Sequence, residues 1–258
     1  AWLTLTTGER SNERQGNGDS DGVPWLNEYW GRDKFIAMPG AASVSGQFEC
    51  AKEIVTDCAK LQDRDPASAT YGRVPKVANL SGVFYKTTDG TPRFVMQVEE
   101  LLKYSGDQSF LKEIYPSVVL SIDQSSRNYT DEKGYLIHAD ADTWMDVKRD
   151  GIPGSPRGNR ANDIQYVWYK QLLAGVHLAQ LMKDEAHVNT WQTLADKLAL
   201  NFEQDDCDKE NILIYDHLNE DGTPDRQYRP NQLFCFELIK DEAFKQKVTR
   251  RAWEELVY

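Results

Sequence analysis

Three carboxylates, a histidine and an indole lie within nine positions of segment 138–146, whose sequence is HADADTWMD. Asp140, Asp142 and Asp146 could supply hard oxygen ligands to a metal ion. The EF-hand pattern, however, needs an acidic or amide ligand at its fifth position, where Trp144 stands. A solvated acidic loop is a second interpretation. We favour a third, a catalytic carboxyl, because an indole beside a carboxyl excludes water and raises its pKa, which suits a general acid.

Aromatic and charged residues come together in a second segment, 24–33, whose sequence is PWLNEYWGRD. Trp25 and Trp30 could stack on the apolar faces of a sugar ring. Arg32 and Asp33 could bind a pair of its hydroxyl groups. The structural alternative makes Asp33 a helix N-cap and places Arg32 in a surface ion pair. The residues alone leave both interpretations open.

A basic, glycine-containing loop at 155–163, SPRGNRAND, forms the third segment. Its arginines could hold an anion, but the chain contains no G-x-x-x-x-G-K-[ST] phosphate-binding loop. It also lacks a G-x-S-x-G nucleophile elbow. The loop therefore identifies no chemistry by itself. We expect neither a cofactor nor a metal.

The elements that must position these segments are amphipathic helices. Apolar residues recur at spacings of three and four in 48–61, 94–102, 110–122, 164–182 and 188–202. Pairs of helices are separated by long polar loops, and loops of about 30 residues are uncommon in compact domains unless they are functional. We therefore predict an all-α fold of the helical toroid type, with helical hairpins in a ring and the loops on one face. A simple up-down bundle is the alternative.

Composition excludes several classes of protein. The chain has 258 residues, with 30 basic and 41 acidic side chains and a net charge of −11. This balance argues against nucleic acid or an anionic membrane surface as partner. No apolar run reaches the roughly 18 residues of a membrane span. The four cysteines form no C-x-x-C pair, which favours buried free thiols in a reducing compartment, so we expect a cytoplasmic protein.

Four motifs together resemble one family. Residues 30–40, WGRDKFIAMPG, are similar to the W-G-R-D-x-F-I-A-x-P-G signature of the amylo-alpha-1,6-glucosidase domain of glycogen debranching enzymes. Residues 143–146 match its T-W-M-D. Residues 155–158 resemble its T-P-R-x-G, and a W-Y pair follows at 168–169. Residues 229–232 match its R-P-N-Q. The motifs occur in the family's order over nearly the whole chain.

This resemblance implies a six-hairpin (α/α)6 toroid. It also implies inverting hydrolysis of an α-1,6-linked glucose stub on glycogen or a limit dextrin. By position, Asp146 would be the general acid that protonates the leaving glycosidic oxygen. Arg32 and Asp33 would bind hydroxyl groups of the terminal glucose.

The resemblance further implies a carbohydrate partner, a branched α-glucan or oligosaccharide. Trp25, Trp30 and Trp144 would be platforms for its sugar rings, and Arg157 would bind substrate. Two other functions stay open. A related toroid glucosidase acting on another α-glucoside could use the same acid and the same arginine–aspartate pair. A non-catalytic glycan-binding fragment would need the aromatic platforms alone.

The chain departs from the family's pattern at two positions and at its end. Asp163 stands where the family often has Glu, and Lys170 replaces a frequent Asn. An inverting enzyme needs a second carboxylate as base, about 6.5–9.5 Å from the acid, and in the family this base belongs to the last hairpins. We expect Glu254 and Glu255 to be surface charges instead. We therefore expect residues 1–258 to form roughly the N-terminal two-thirds of one toroid domain. We expect this part to be inactive alone, because it lacks the base.

Overall fold

The computed structural model describes residues 29–257, which form two compact units. One comprises the described residues up to 124 together with 177–184, and the other comprises 125–176 together with 185–257. The helices are α1 (Gly31–Met38), a π segment (Pro39–Ser43), α2 (Phe48–Lys60), α3 (Gly90–Ser105), α4 (Gln108–Asn128), α5 (Asn162–Met182), α6 (Glu185–Asp205), a 3₁₀ helix (Pro230–Leu238) and α7 (Glu242–Leu256).

Ten short strands accompany these helices. They are β1 (Tyr29–Trp30), β2 (Val77–Asn79), β3 (Gly82–Phe84), β4 (Lys148–Arg149), β5 (Ile152–Pro153), β6 (Arg160–Ala161), β7 (Cys207–Asp208), β8 (Leu213–Ile214), β9 (His217–Leu218) and β10 (Pro224–Asp225). β1–β2–β3 and β10–β9–β6 form three-stranded antiparallel sheets, and the other four strands pair in twos.

The first unit packs α1 against α3 around fully buried rings, and Phe35 lies 5.9 Å from Phe94 between ring centroids. Where β1 passes into α1, the Gly31 N–H donates to the carbonyl of Lys76 over 2.7 Å. A Cβ atom on Gly31 would overlap the carbonyl oxygen of Pro75. The glycine therefore lets two backbone segments approach closely at the start of α1.

In the second unit Trp168 of α5 is buried, as are Trp191 and Phe202 of α6. The sheet β10–β9–β6 lies at the start of α5, with Arg160 opposite Leu218 in the antiparallel register. Because β6 leads directly into α5, this pairing holds the first turn of α5 in place. The candidate site is built on that turn.

The amphipathic helices predicted from apolar spacing are confirmed. Asp107 accepts hydrogen bonds from the N–H groups of Ser109 and Phe110 at the start of α4. Asp241 accepts one from Phe244 at the start of α7. Both aspartates are N-caps of their helices. Gly106 ends α3 in the left-handed conformation, with φ of 66°.

Two local predictions are wrong. α1 begins at Gly31 with Trp30 in the N-cap position, so Asp33 lies inside the first turn and does not cap the helix. The alternative surface ion pair of Arg32 is also wrong, because that side chain is buried at 8% exposure. Within residues 29–257, no helix combines the length and apolar character needed to cross a bilayer.

Candidate active site

The T-W-M-D segment meets the first turn of α5 through the indole of Trp144. Its Nε1–H donates to Oδ2 of Asp163 over 2.5 Å. Asp163 is buried at 5% exposure, whereas Trp144 is 46% exposed. The polar edge of the indole is thus held inside the protein while much of the ring faces solvent. The next carboxylate along the loop, Asp146, is half-buried.

Arg157 is fully buried between two carboxylates. Its Nη2 lies 2.9 Å from Oδ1 of Asp163, and its Nε lies 2.9 Å from Oδ2 of Asp216. Nη2 also donates to the backbone carbonyl of Asp216 and to the side chain of Asn162. At 0% exposure, this arginine faces protein groups, and its contact with substrate stays a prediction.

The sulfur of Met145 lies within reach of three side-chain donors. Arg157 Nη1 approaches it at 3.2 Å, Asn231 Nδ2 at 3.6 Å and Arg229 Nη1 at 3.7 Å. Thioether sulfur is a weak acceptor, so these contacts orient the side chain more than they stabilise it. Trp144 and Met145 are therefore both anchored, immediately before Asp146.

The R-P-N-Q motif opens the 3₁₀ helix, which lies beside α5 in a regular register. Every third residue of a 3₁₀ helix falls on the same face, and residues three and four apart share a face of an α-helix. The three contacts are Asn231 Nδ2 to Asp163 Oδ2 at 3.2 Å, the Phe234 and Tyr166 rings stacked at 6.2 Å, and Lys170 Nζ to Glu237 Oε2 at 2.7 Å. The motif is thereby brought to Asp163.

The start of the acidic loop is held by His138 and Asp140. His138 Nε2 accepts the N–H of Ala161 at 2.8 Å, while Nδ1 lies 2.9 Å from the carbonyl of Ala139. One ring nitrogen accepts and the other donates, as in neutral imidazole, and burial lowers the pKa of His138. Asp140 accepts the backbone N–H of Arg157 at 2.7 Å. Both side chains anchor the loop.

Among the described residues, Asp216, His217 and Asp225 come close enough to suggest a metal site, with ligand atoms within 4.8 Å of one another. His217 Nδ1 lies 3.1 Å from Oδ2 of Asp216. The same oxygen faces Arg157 Nε at 2.9 Å. A guanidinium group already supplies the positive charge that this carboxylate faces, so we assign no metal there.

The residues of the W-G-R-D segment point in different directions. The Arg32 guanidinium lies 3.7 Å from the buried carboxylate of Asp89. Asp33 follows it on α1 and is exposed. Trp30 is half-buried, and Lys76 Nζ lies 5.6 Å from its ring centroid. The predicted platform Trp25 lies outside the described residues.

Asp206 is a buried carboxyl that the sequence analysis missed. Its Oδ2 accepts the hydroxyl of Tyr135 at 2.6 Å, and both side chains are 0% exposed. Burial raises the pKa of Asp206 to about 8. This carboxyl is therefore largely protonated at neutral pH, which makes the stability of the second unit sensitive to pH.

Sequence and structure comparisons identify the class of protein to which this site belongs. A family model described as amylo-alpha-1,6-glucosidase matches residues 7–258. No curated protein matches the chain. With nearly all residues covered, the chain belongs to the amylo-alpha-1,6-glucosidase family.

Solved structures show the fold. A GH78 family rhamnosidase of Bacillus sp. GL1 has a TM-score of 0.65 at 17% identity, over 88% of this chain and 23% of its own. A rhamnosidase from Klebsiella oxytoca with rhamnose bound has a TM-score of 0.67 at 13% identity, over 88% and 42%. A cellobiose 2-epimerase from Bacillus thermoamylovorans has a TM-score of 0.56 at 12% identity, over 91% and 62%.

The chain thus spans between about a quarter and three-fifths of the length of these three proteins. The predicted all-α fold of the α/α-toroid class is confirmed. Together with the family match, it defines a toroid domain of the amylo-alpha-1,6-glucosidase family.

Proposed function

We propose that this chain carries the general acid of an inverting glucosidase that releases glucose from the α-1,6 branch stubs of glycogen or limit dextrin. The observation that carries the proposal is the double anchoring ahead of Asp146. The Trp144 indole is bonded to buried Asp163, and the Met145 sulfur is surrounded by donors. A general acid must be held in a defined place to protonate a leaving oxygen, and this arrangement supports that part for Asp146.

In this mechanism Asp146 protonates the glycosidic oxygen while a base on the opposite sugar face activates water. The two carboxyl groups would lie about 6.5–9.5 Å apart. Asp163 and Asp216 both form ion pairs with Arg157. Both are held by the same guanidinium, so we propose neither of them as the base.

The proposed sugar contacts divide into direct and indirect ones. Trp144 offers a half-exposed ring face for stacking on glucose. Trp25 and Trp30 are kept as further platforms, and exposed Asp33 as an acceptor for a hydroxyl group. Arg32 and Arg157 are buried, so we propose that they act on the substrate indirectly. They hold the carboxylates around them in place, and the substrate contacts groups that these carboxylates position.

The proposed location is the cytoplasm. Glycogen is stored there, and the four cysteines of the chain are all free thiols. Cys58 and Cys235 are buried, and burial raises the pKa of both. Thiols of this kind resist oxidation and suit a reducing compartment.

The test is glucose release by the complete gene product from a branched limit dextrin, with a linear malto-oligosaccharide and an α-L-rhamnoside as matched substrates. We expect glucose from the branched substrate and little product from the others. Release from the linear substrate alone would favour a related glucosidase of different linkage. Tight glucan binding with no product would make the protein a binding module.

A further inference from the structure

Asp163 accepts five hydrogen bonds from the protein. Its Oδ2 accepts from Trp144 at 2.5 Å, from Asn231 at 3.2 Å and from Arg157 Nη1 at 3.4 Å. Its Oδ1 accepts from Arg157 Nη2 at 2.9 Å and from the N–H of Ile164 at 3.1 Å. A carboxylate has about four acceptor sites, so this one is fully occupied by the protein. It has no acceptor position left for substrate.

The donors to Asp163 come from three separate segments. Trp144 belongs to the acidic loop, Arg157 to the basic loop before β6, and Asn231 to the start of the 3₁₀ helix. Arg157 and Asn231 also contact the sulfur of Met145. One buried carboxylate therefore joins the Trp144 indole to two of the three side-chain donors that approach the Met145 sulfur.

The bond to Asp163 also determines which part of Trp144 a ligand can reach. The indole has a single N–H donor, and Asp163 occupies it. The remaining exposed surface of Trp144 is therefore ring. A sugar would meet this surface by stacking of its C–H face, without a hydrogen bond to the indole.

From this geometry we propose that Asp163 is the positioning residue of the site. It holds the loop that carries Asp146, and it orients Trp144 as a preformed stacking surface for a glucose ring. The catalytic part of this inference rests on the proposed function. The loop-anchoring part does not, and it can be tested without turnover.

The first test is a ¹H–¹⁵N spectrum of the indole region, where seven tryptophans give signals. Trp144→Phe identifies the Trp144 signal. We expect this N–H to resonate downfield and exchange slowly, and to lose both properties in Asp163→Asn. Asp196→Asn, an exposed change on α6, is the control and should leave the signal in place. A Trp144 signal that does not respond to Asp163→Asn would overturn the proposal.

The second test is turnover by the complete gene product on the branched limit dextrin. Loss of positioning should lower kcat of Asp163→Asn by about 10²-fold, with KM changing much less. Asp163→Glu keeps the charge that Arg157 needs and should recover part of the rate. Equal loss in the Asn and Glu variants, or a loss confined to KM, would contradict positioning through the carboxylate.

Two results would need a different reading: an Asp163→Asn variant that does not fold, and an unmodified protein that releases no glucose. If Asp163→Asn does not fold, Trp144→Phe replaces it, because that variant removes one donor and leaves the Arg157 ion pair intact. It should fold and lower kcat, and a wild-type kcat would overturn the proposal. If the unmodified protein releases no glucose, the proposed function fails, while the indole spectrum still decides whether Asp163 holds the loop.

Discussion

The indole N–H of Trp144 donates to Oδ2 of Asp163 over 2.5 Å, although 19 positions separate the two residues in the chain. The bond connects the loop that ends in Asp146 to the first turn of α5. The anchor is rigid because Asp163 is itself ion-paired with buried Arg157. The placement of the proposed general acid therefore depends on a carboxylate that belongs to a different motif.

Replacing the proposed acid should abolish hydrolysis while sparing binding. Asp146→Asn should lower kcat on limit dextrin by about 10²–10⁴-fold, the usual contribution of a positioned general acid. The loss should be much smaller for α-glucosyl fluoride, whose leaving group needs no proton. Asp142→Asn in the same loop is the control. A wild-type rate on limit dextrin would remove Asp146 from the acid role.

Asp33 is expected to contact glucose because it is exposed near the start of α1 and does not cap the helix. Asp33→Ala should weaken glucose affinity by about tenfold or more, the loss expected for a hydrogen bond to a charged acceptor. Titration calorimetry on the folded variant measures this change, with Asp196→Ala as the control. Unchanged affinity would show that Asp33 makes no sugar contact.

The stability of the second unit should depend strongly on Arg157. Arg157→Met leaves the buried carboxylate of Asp163 without its cation and that of Asp216 with only Arg229, 3.9 Å away. Removing one partner of a buried ion pair typically costs about 3–5 kcal/mol. The same change at Arg250, whose ion pair with Glu254 is exposed on both sides, should have little effect. Urea unfolding of the two variants gives the comparison. Similar midpoints for both would contradict a structural role for the buried cluster.

The buried carboxyl of Asp206 predicts how stability changes with pH. Its pKa of about 8 in the folded state exceeds the ordinary value near 3.9 of an unfolded chain. The folded state therefore binds the extra proton between these values, and this group's contribution to stability falls as pH rises from about 4 to 8.

Asp206→Asn removes that titration and keeps an oxygen for the Tyr135 hydroxyl. The melting temperature of Asp206→Asn minus that of the wild type should be higher at pH 8 than at pH 5. The increase should be about 2–4 °C for each kcal/mol of stability that the wild type loses between the two pH values through Asp206. Thermal melts at the two pH values measure the difference. If the melting temperatures of the variant and the wild type differ by the same amount at both pH values, folding does not change the protonation of Asp206.

Much of the helical fold could be predicted from the sequence because apolar spacing and capping residues act locally. The bounds of α2 and the caps Asp107 and Asp241 are examples. The two-residue strands could not be predicted, because β6 and β9 exist only through their pairing at Arg160 and Leu218. The segment 230–238 is a 3₁₀ helix in register with α5.

The motifs of the site could be recognised from sequence, but their connections could not. Trp144 was noticed as a neighbour of Asp146, whereas its polar partner is Asp163. Asn231 lay within a recognised motif, and its contact with Asp163 spans 68 positions. One feature of the sequence points to these two residues: each stands at the start of a helix, and Asn231 is part of a motif. Tertiary packing alone brings them together.

The most direct test of the central claim is anomer-resolved proton NMR of a branched limit dextrin incubated with the complete gene product, with the intact mass recorded from the same sample. An inverting glucosidase with Asp146 as its acid should release β-glucose first, which then converts to the α anomer by mutarotation. Asp146→Asn should release none on the same time scale. Initial release of α-glucose, or β-glucose release that persists in Asp146→Asn, would contradict an inverting glucosidase with Asp146 as its acid.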